Sequence, residues 1–198
     1  LLFMKALRLF NKISYQLMFV MSVLAIIAAG QSHANTRTSD RTHINGGYSV
    51  LKLLLEDEQH LTFIRRTKSV LTFSSISDES RKLVDEIADT SDKALEQLET
   101  LAVSKPGIEF QELAEHEIAH STLDSMRMET AKDFLFSGDD FEKQLLVSQM
   151  QVLRVISHLA KELEEQETNL KRKAWLNNLA VRYENYYQQV FSRLTVTA

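Results

Sequence analysis

Apolar residues along most of this chain recur at helical spacing, and no stretch sustains the alternation of a half-buried strand. Val84, Ile87, Ala94, Leu98 and Leu101 fall on one helical face with Ser91 among them, and Phe141, Leu145, Val152, Val155 and Leu159 repeat the pattern around Ser148. Leu176, Leu179, Tyr183, Tyr186, Val190 and Leu194 continue it near the C-terminus. The pattern predicts an all-α domain, an antiparallel up-and-down bundle of four to five helices joined by short turns.

The breakers place the helix ends. Pro106 is the one proline, and outside the N-terminal segment the glycines are Gly46, Gly47, Gly107 and Gly138. A polar stretch over 35–47 reads as a flexible leader, and the bundle domain is expected over 48–198. The first helix is expected from about Tyr48 to before Ser77. Ser77 is the predicted N-cap of a second helix, which runs to about Ser104 and stops at Lys105-Pro106-Gly107. A third helix is expected from about Glu109 to Phe136, and a fourth opens at Asp139-Asp140, where acidic side chains favour a helix N-terminus. Nothing breaks the pattern from Asp140 to Thr195, yet one helix there would be roughly 80 Å long at 1.5 Å per residue. A bend is therefore expected at Thr168-Asn169, although Glu167 and Lys171 are spaced to pair across it.

The N-terminal thirty-four residues read as a secretory signal: Lys5, Arg8 and Lys12 precede an apolar run from Leu17 to Ala29, and Ser32 and Ala34 supply small residues for cleavage before Asn35. Domains are thus expected at 1–34, 35–47 and 48–198. A competing reading is an uncleaved anchor, because Ile13 to Gly30 is eighteen residues without a charge. The cleavage reading places the chain in the periplasm or outside the cell, with no stable membrane insertion after cleavage.

Charge and cysteine content narrow the function classes. Residues 1–34 hold three of the 23 basic residues and none of the 27 acids, so the remainder carries 20 against 27, a net of −7. That balance argues against a nucleic-acid or anionic-membrane binder, which would need a concentrated basic face, and Arg65-Arg66 and Lys171-Arg172-Lys173 read as solvated helix faces. No cysteine is present, which removes disulfides, thiol nucleophiles and thiolate metal sites.

The candidate chemistry lies in two acid-x-x-His pairs, Asp57 with His60 and Glu117 with His120, each interrupting an otherwise apolar stripe. An acid and a histidine three apart project side by side from a helix, and two such pairs at one level of a bundle suit iron, manganese or zinc. His158 and Glu162 are possible further ligands. Acids are common enough here for the spacing to arise by chance, and Asp40 and His43 repeat it in the leader; buried polar pairing is the simpler reading. His116-Glu117-Ile118-Ala119-His120 also matches the bare zinc-protease pattern, but an all-helical chain lacks the sheet edge that binds a peptide substrate. No glycine-rich phosphate loop or nucleophile elbow is present. The aromatic set Trp175, Tyr183, Tyr186, Tyr187 and Phe191 reads as packing.

Three stretches, Arg81 to Asp89 with Leu95 to Ala102, Phe141 to Leu146, and Asn169-Leu170-Lys171 leading to Leu179, resemble an exported ferritin-like four-helix bacterial family of unknown function. The resemblance implies a secreted four-helix bundle without established activity. It departs where the family carries histidines: Asp89 is followed by Thr90, and Tyr183-Glu184-Asn185-Tyr186 has none. Two function classes follow. The preferred one is a non-catalytic exported bundle that contacts another envelope protein or itself; the alternative is a ferritin-like metal-binding or redox protein with an in-bundle divalent metal site at Asp57, His60, Glu117 and His120.

Overall fold

In the computed structural model the described residues are 36–59, 76–111 and 141–196, all within one compact unit, Asn35–Ala198. They are helical apart from the connections. Four helices appear, which we label α1 (Thr36–Gln59), α2 (Asp78–Ala102), α3 (Phe141–Gln166) and α4 (Leu170–Val196), with no strand among the described residues. α1 packs on α2 and α3, and α4 packs on the same two helices.

Hydrogen bonds and close contacts fix the directions. Lys173 meets Glu164, Ser157 donates to the Ala180 carbonyl and Arg154 covers the Tyr187 ring, so α3 and α4 run oppositely. Gln97 with Trp175, Ser91 with Tyr183 and Glu86 with Tyr186 give the same relation for α2 and α4. α1 opposes α3, with Gly47 against Leu163 at one end and Glu58 bonded to Gln149 further along. It also opposes α2, with Arg41 on the Gly107 carbonyl and Lys52 near Glu99. α2 and α3 therefore share a direction, and their starts touch: the Ser77 N–H and Oγ donate to Glu142 at 3.1 and 2.6 Å. The end of α2 and the start of α3 lie at opposite ends of the bundle. The predicted third helix falls between them, outside the described residues except for Glu109 to Gln111, which are not helical.

Two expectations change. The stretch 35–47, read as a flexible leader, is largely helical from Thr36 onward, with Gly46 and Gly47 inside α1. Each glycine weakens a helix interior by about 1 kcal/mol relative to alanine, yet Tyr48, Leu51 and Leu55 bury a face that outweighs this cost. Gly47 has a packing reason: a Cβ there would lie 2.8 Å from Leu163 Cδ2, so its absence lets α1 and α3 close. The bend expected at Thr168-Asn169 is a full reversal. Asn169 caps α4 by accepting from the Lys171 and Arg172 N–H groups at 3.0 and 3.1 Å, and Glu167 pairs with Arg172, not with Lys171.

The core follows the predicted faces closely in α2 and α4. Val84, Ile87, Ser91, Ala94 and Leu98 are buried as expected, as are Leu176, Leu179, Tyr183, Tyr186 and Val190. In α3 the buried row is Phe141, Leu145, Gln149, Leu153, Ile156, Ala160 and Leu163, with Val152, Val155 and Leu159 only half-buried.

Candidate functional site

Buried polar side chains collect at two levels of the bundle. The first sits where α1 meets the α3–α4 reversal. Arg172 is 2 % exposed and gives Nε to Glu167 at 2.7 Å and one terminal nitrogen to the same carboxylate at 3.1 Å. Its other terminal nitrogen reaches the carbonyls of Leu101 at 3.4 Å and Ser104 at 2.8 Å, the first of which also accepts from the Ser104 N–H at 3.1 Å. Tyr48 donates its hydroxyl to Glu167 at 2.6 Å from α1. Burial pushes the Glu167 carboxyl up, but the hydrogen bonds from Arg172, Tyr48 and the Asn169 N–H outweigh it and hold it below the usual range. The Tyr48 hydroxyl is pushed far up by burial and by the Glu167 charge it faces. This cluster is a strut: Tyr48 and Arg172 tie α1, the α3–α4 reversal and the segment at the end of α2 together.

The second level lies nearer the bundle middle and uses all four helices. Tyr183 of α4 bonds Ser91 of α2 at 2.6 Å, while Ser91 also donates to the Ile87 carbonyl at 2.9 Å. Tyr186 bonds Thr90 at 2.8 Å and donates to Glu86 at 3.0 Å, and its ring meets that of Tyr183 edge-on. Burial raises both phenols. Glu58 of α1 closes this level with Gln149 of α3; each is 3 % exposed. Glu58 Oε2 and Gln149 Oε1 are buried without a hydrogen-bond partner among the described residues. Burial, together with the charge of neighbouring Asp57, pushes the Glu58 carboxyl from 4.5 up to about 8 against the opposing bond from Gln149.

Two bare acceptor oxygens in a core are costly, because each loses its water without gaining a donor. A single proton on Glu58 offers a remedy, since an acid and an amide can exchange two hydrogen bonds. A bound cation offers another.

Of the residues singled out for metal, Asp57 is half-buried on α1 beside Glu58. His60, Glu117 and His120 lie outside the described residues, as does the zinc-protease pattern at 116–120. His158 and Glu162 are exposed on α3. Among the described residues no three His, Cys, Asp or Glu side chains converge as a metal would require. Glu58 escaped sequence reasoning because the search began from histidines. The signal was present: Tyr48, Leu51, Leu55 and Glu58 form one stripe, in which an acid takes the fourth apolar place.

The aromatic set divides. Tyr183 and Tyr186 are buried, Trp175 is half-buried and donates to Gln97 at 2.9 Å, and Tyr187 stacks on Phe191, which is 47 % exposed. Arg154 lies over the Tyr187 ring at 5.5 Å. No helix among the described residues is long and apolar enough to cross a membrane. No family model matches the chain, and no curated protein or solved structure matches it.

Proposed function

We propose that this chain is an exported helical-bundle protein of the cell envelope that acts through protein contacts, without catalysis of its own. The observation that carries the reading is the outward group of Arg154, Tyr187 and Phe191 on α3 and α4. Arginine and aromatic side chains are the types enriched where proteins meet, and a stacked pair in which Tyr187 is half-buried and Phe191 exposed offers rigid apolar area at small entropic cost. The polar side chains of the strut and of the tyrosine level fit this reading too, since their hydrogen bonds link helices to one another. The expected partner is another envelope protein or a second copy. The test is assembly of the purified protein, alone and with envelope extract, beside Tyr187→Asp with Phe191→Asp and a control Lys143→Asp. A defined complex lost only in the aromatic variant supports the reading; complexes indifferent to all three substitutions overturn it.

The bare oxygens of Glu58 and Gln149 favour a second reading, a ferritin-like bundle that holds iron, manganese or zinc in its core. Asp57, His60, Glu117 and His120 are its proposed ligands, with Glu58 available beside Asp57. Metal content of the intact protein, compared with Glu58→Gln and with the His60→Ala, His120→Ala double variant, tests it. Near-stoichiometric metal lost in the variants supports this reading, and protein that neither carries nor binds these metals sinks it.

A further inference from the structure

We infer that the outward face of α4 pairs with the same face of a second copy, the two helices running parallel about a twofold axis. α4 buries one side against α2 and α3. Its other side is a row spaced three and four residues apart: Ala174, Asn178, Val181, Asn185, Gln188 and Ser192. All six are exposed, Val181 at 54 %, and the row is about 27 Å long at 1.5 Å per residue. None of them is charged. At the same spacing α2 carries Asp85, Asp89, Asp92, Glu96 and Glu99, half-buried at Asp85 and exposed at the rest, with an acid at every place. Two surface helices of one bundle thus differ completely, and solubility alone does not ask for that difference.

Charge decides what can cover such a face. Interface centres are depleted of charged side chains, because each would shed its water on contact. Amides carry both donors and acceptors, so a row rich in them is complementary to itself. A second copy brings the same net negative charge, which the acid row of α2 repels and the α4 row does not oppose.

The two charges beside the middle of the row select the occupant and its direction. Arg182 is exposed on one side of it, and Glu184 is half-buried on the other. About a twofold axis along the helices, each side of one copy meets the opposite side of the other. Arg182 of each copy then lies beside Glu184 of the other, and the pair forms twice. Antiparallel helices would set each side against itself and bring arginine to arginine. Glu184 accepts from Gln188 at 3.0 Å and keeps further acceptor positions for the guanidinium. Phe191 borders the row on the Glu184 side, so the Tyr187–Phe191 stack is the rim of the same surface. The inference rests on the protein-contact reading and names the second copy as the partner.

The test is sedimentation equilibrium of the purified protein across a wide range of concentration. A monomer–dimer equilibrium is expected, weakened several-fold by Val181→Asp with Asn185→Asp, and by Arg182→Glu or Glu184→Arg alone. Each single reversal sets like charges together on both sides of the row; the double variant Arg182→Glu, Glu184→Arg restores the pairing and the affinity. None of these positions is in the core, and unchanged helicity and urea midpoints verify that the variants fold. A chain that stays monomeric overturns the inference, as does a dimer indifferent to these substitutions or a double reversal that stays weak. The protein-contact reading fails separately. A monomeric chain that captures an envelope protein through Tyr187 and Phe191 keeps that reading and sinks this inference, whereas a dimer that tolerates Tyr187→Asp with Phe191→Asp and responds to the row does the reverse.

Discussion

Glu58 shows how one residue can set the pH response of the whole bundle. Its carboxyl sits near 4.5 when unfolded and is pushed up to about 8 by burial when folded, so the folded chain binds a proton that the unfolded chain has released between those values. Stability is fully present below about pH 4.5, falls as pH rises, and levels off above about 8. The shift corresponds to at most ~5 kcal/mol. Urea midpoints measured across that window should fall steeply for the native chain and stay nearly flat for Glu58→Gln, whose amide can still pair with Gln149. Identical slopes would show that Glu58 does not carry the effect. Arg172 gives a second residue-scale prediction. Arg172→Met should cost about 3–5 kcal/mol in equilibrium unfolding, because it leaves the Glu167 carboxylate buried beside Tyr48 without its cation. Glu58 stood in the sequence on the apolar stripe of Tyr48, Leu51 and Leu55, whereas the role of Arg172 was not legible beforehand. Arg172 lies in a Lys-Arg-Lys run that reads as solvated surface, and only the α3–α4 reversal turns its middle member inward.

Among the elements, α1 and the α3–α4 reversal carry the sharpest tests. Asn169→Ala removes the acceptor for two N–H groups at the start of α4 and the bond to the Lys105 carbonyl. It should destabilise by about 1 kcal/mol or somewhat more in the same unfolding experiment. Gly47→Ala should also destabilise, by about 1–3 kcal/mol, although alanine is the better helix former. The added methyl meets Leu163 across the α1–α3 contact, and a gain in stability would show that Leu163 yields without cost. Helix faces were readable to different depths. In α3 the expected row followed a strict seven-residue repeat and drifted off the buried one after Ser148. The observed row from Phe141 to Leu163 advances about 3.7 residues per step, close to a straight helix, and a seven-residue repeat slips about 20° per two turns against that. Glycine misled in α1 because helix propensity is a local quantity, whereas the contact with Leu163 is not.

At the scale of the molecule, two polar clasps sit at opposite ends: Tyr48, Glu167 and Arg172 at one, Ser77 and Glu142 at the other. At Glu142 the Ser77 and Ser80 bonds overcome the upward push of burial and keep the carboxyl below its usual range. Distant clasps should add, and members of one clasp should not. In double-mutant cycles Tyr48→Phe with Arg172→Met should therefore couple by more than 0.5 kcal/mol or so, while Glu142→Gln with Arg172→Met should add within about 0.5 kcal/mol. Coupling of the distant pair would reveal a bundle that transmits strain along its length.

What the sequence alone determined is the helical class, the faces of α2 and α4, and the Ser77 and Asn169 boundaries. Helix propensity, apolar period and capping are local properties that survive without knowledge of the neighbours. The tertiary structure decided which polar residues face inward. Asp57 and Glu58 are adjacent acids with similar propensity, and only the packing of α1 against α3 buries Glu58 and leaves Asp57 at the margin. The same holds for Arg172, whose burial depends on carbonyls at and just past the end of α2, some seventy positions earlier in the chain. Burial of a charge is settled by partners distant in sequence, and no local pattern encodes them.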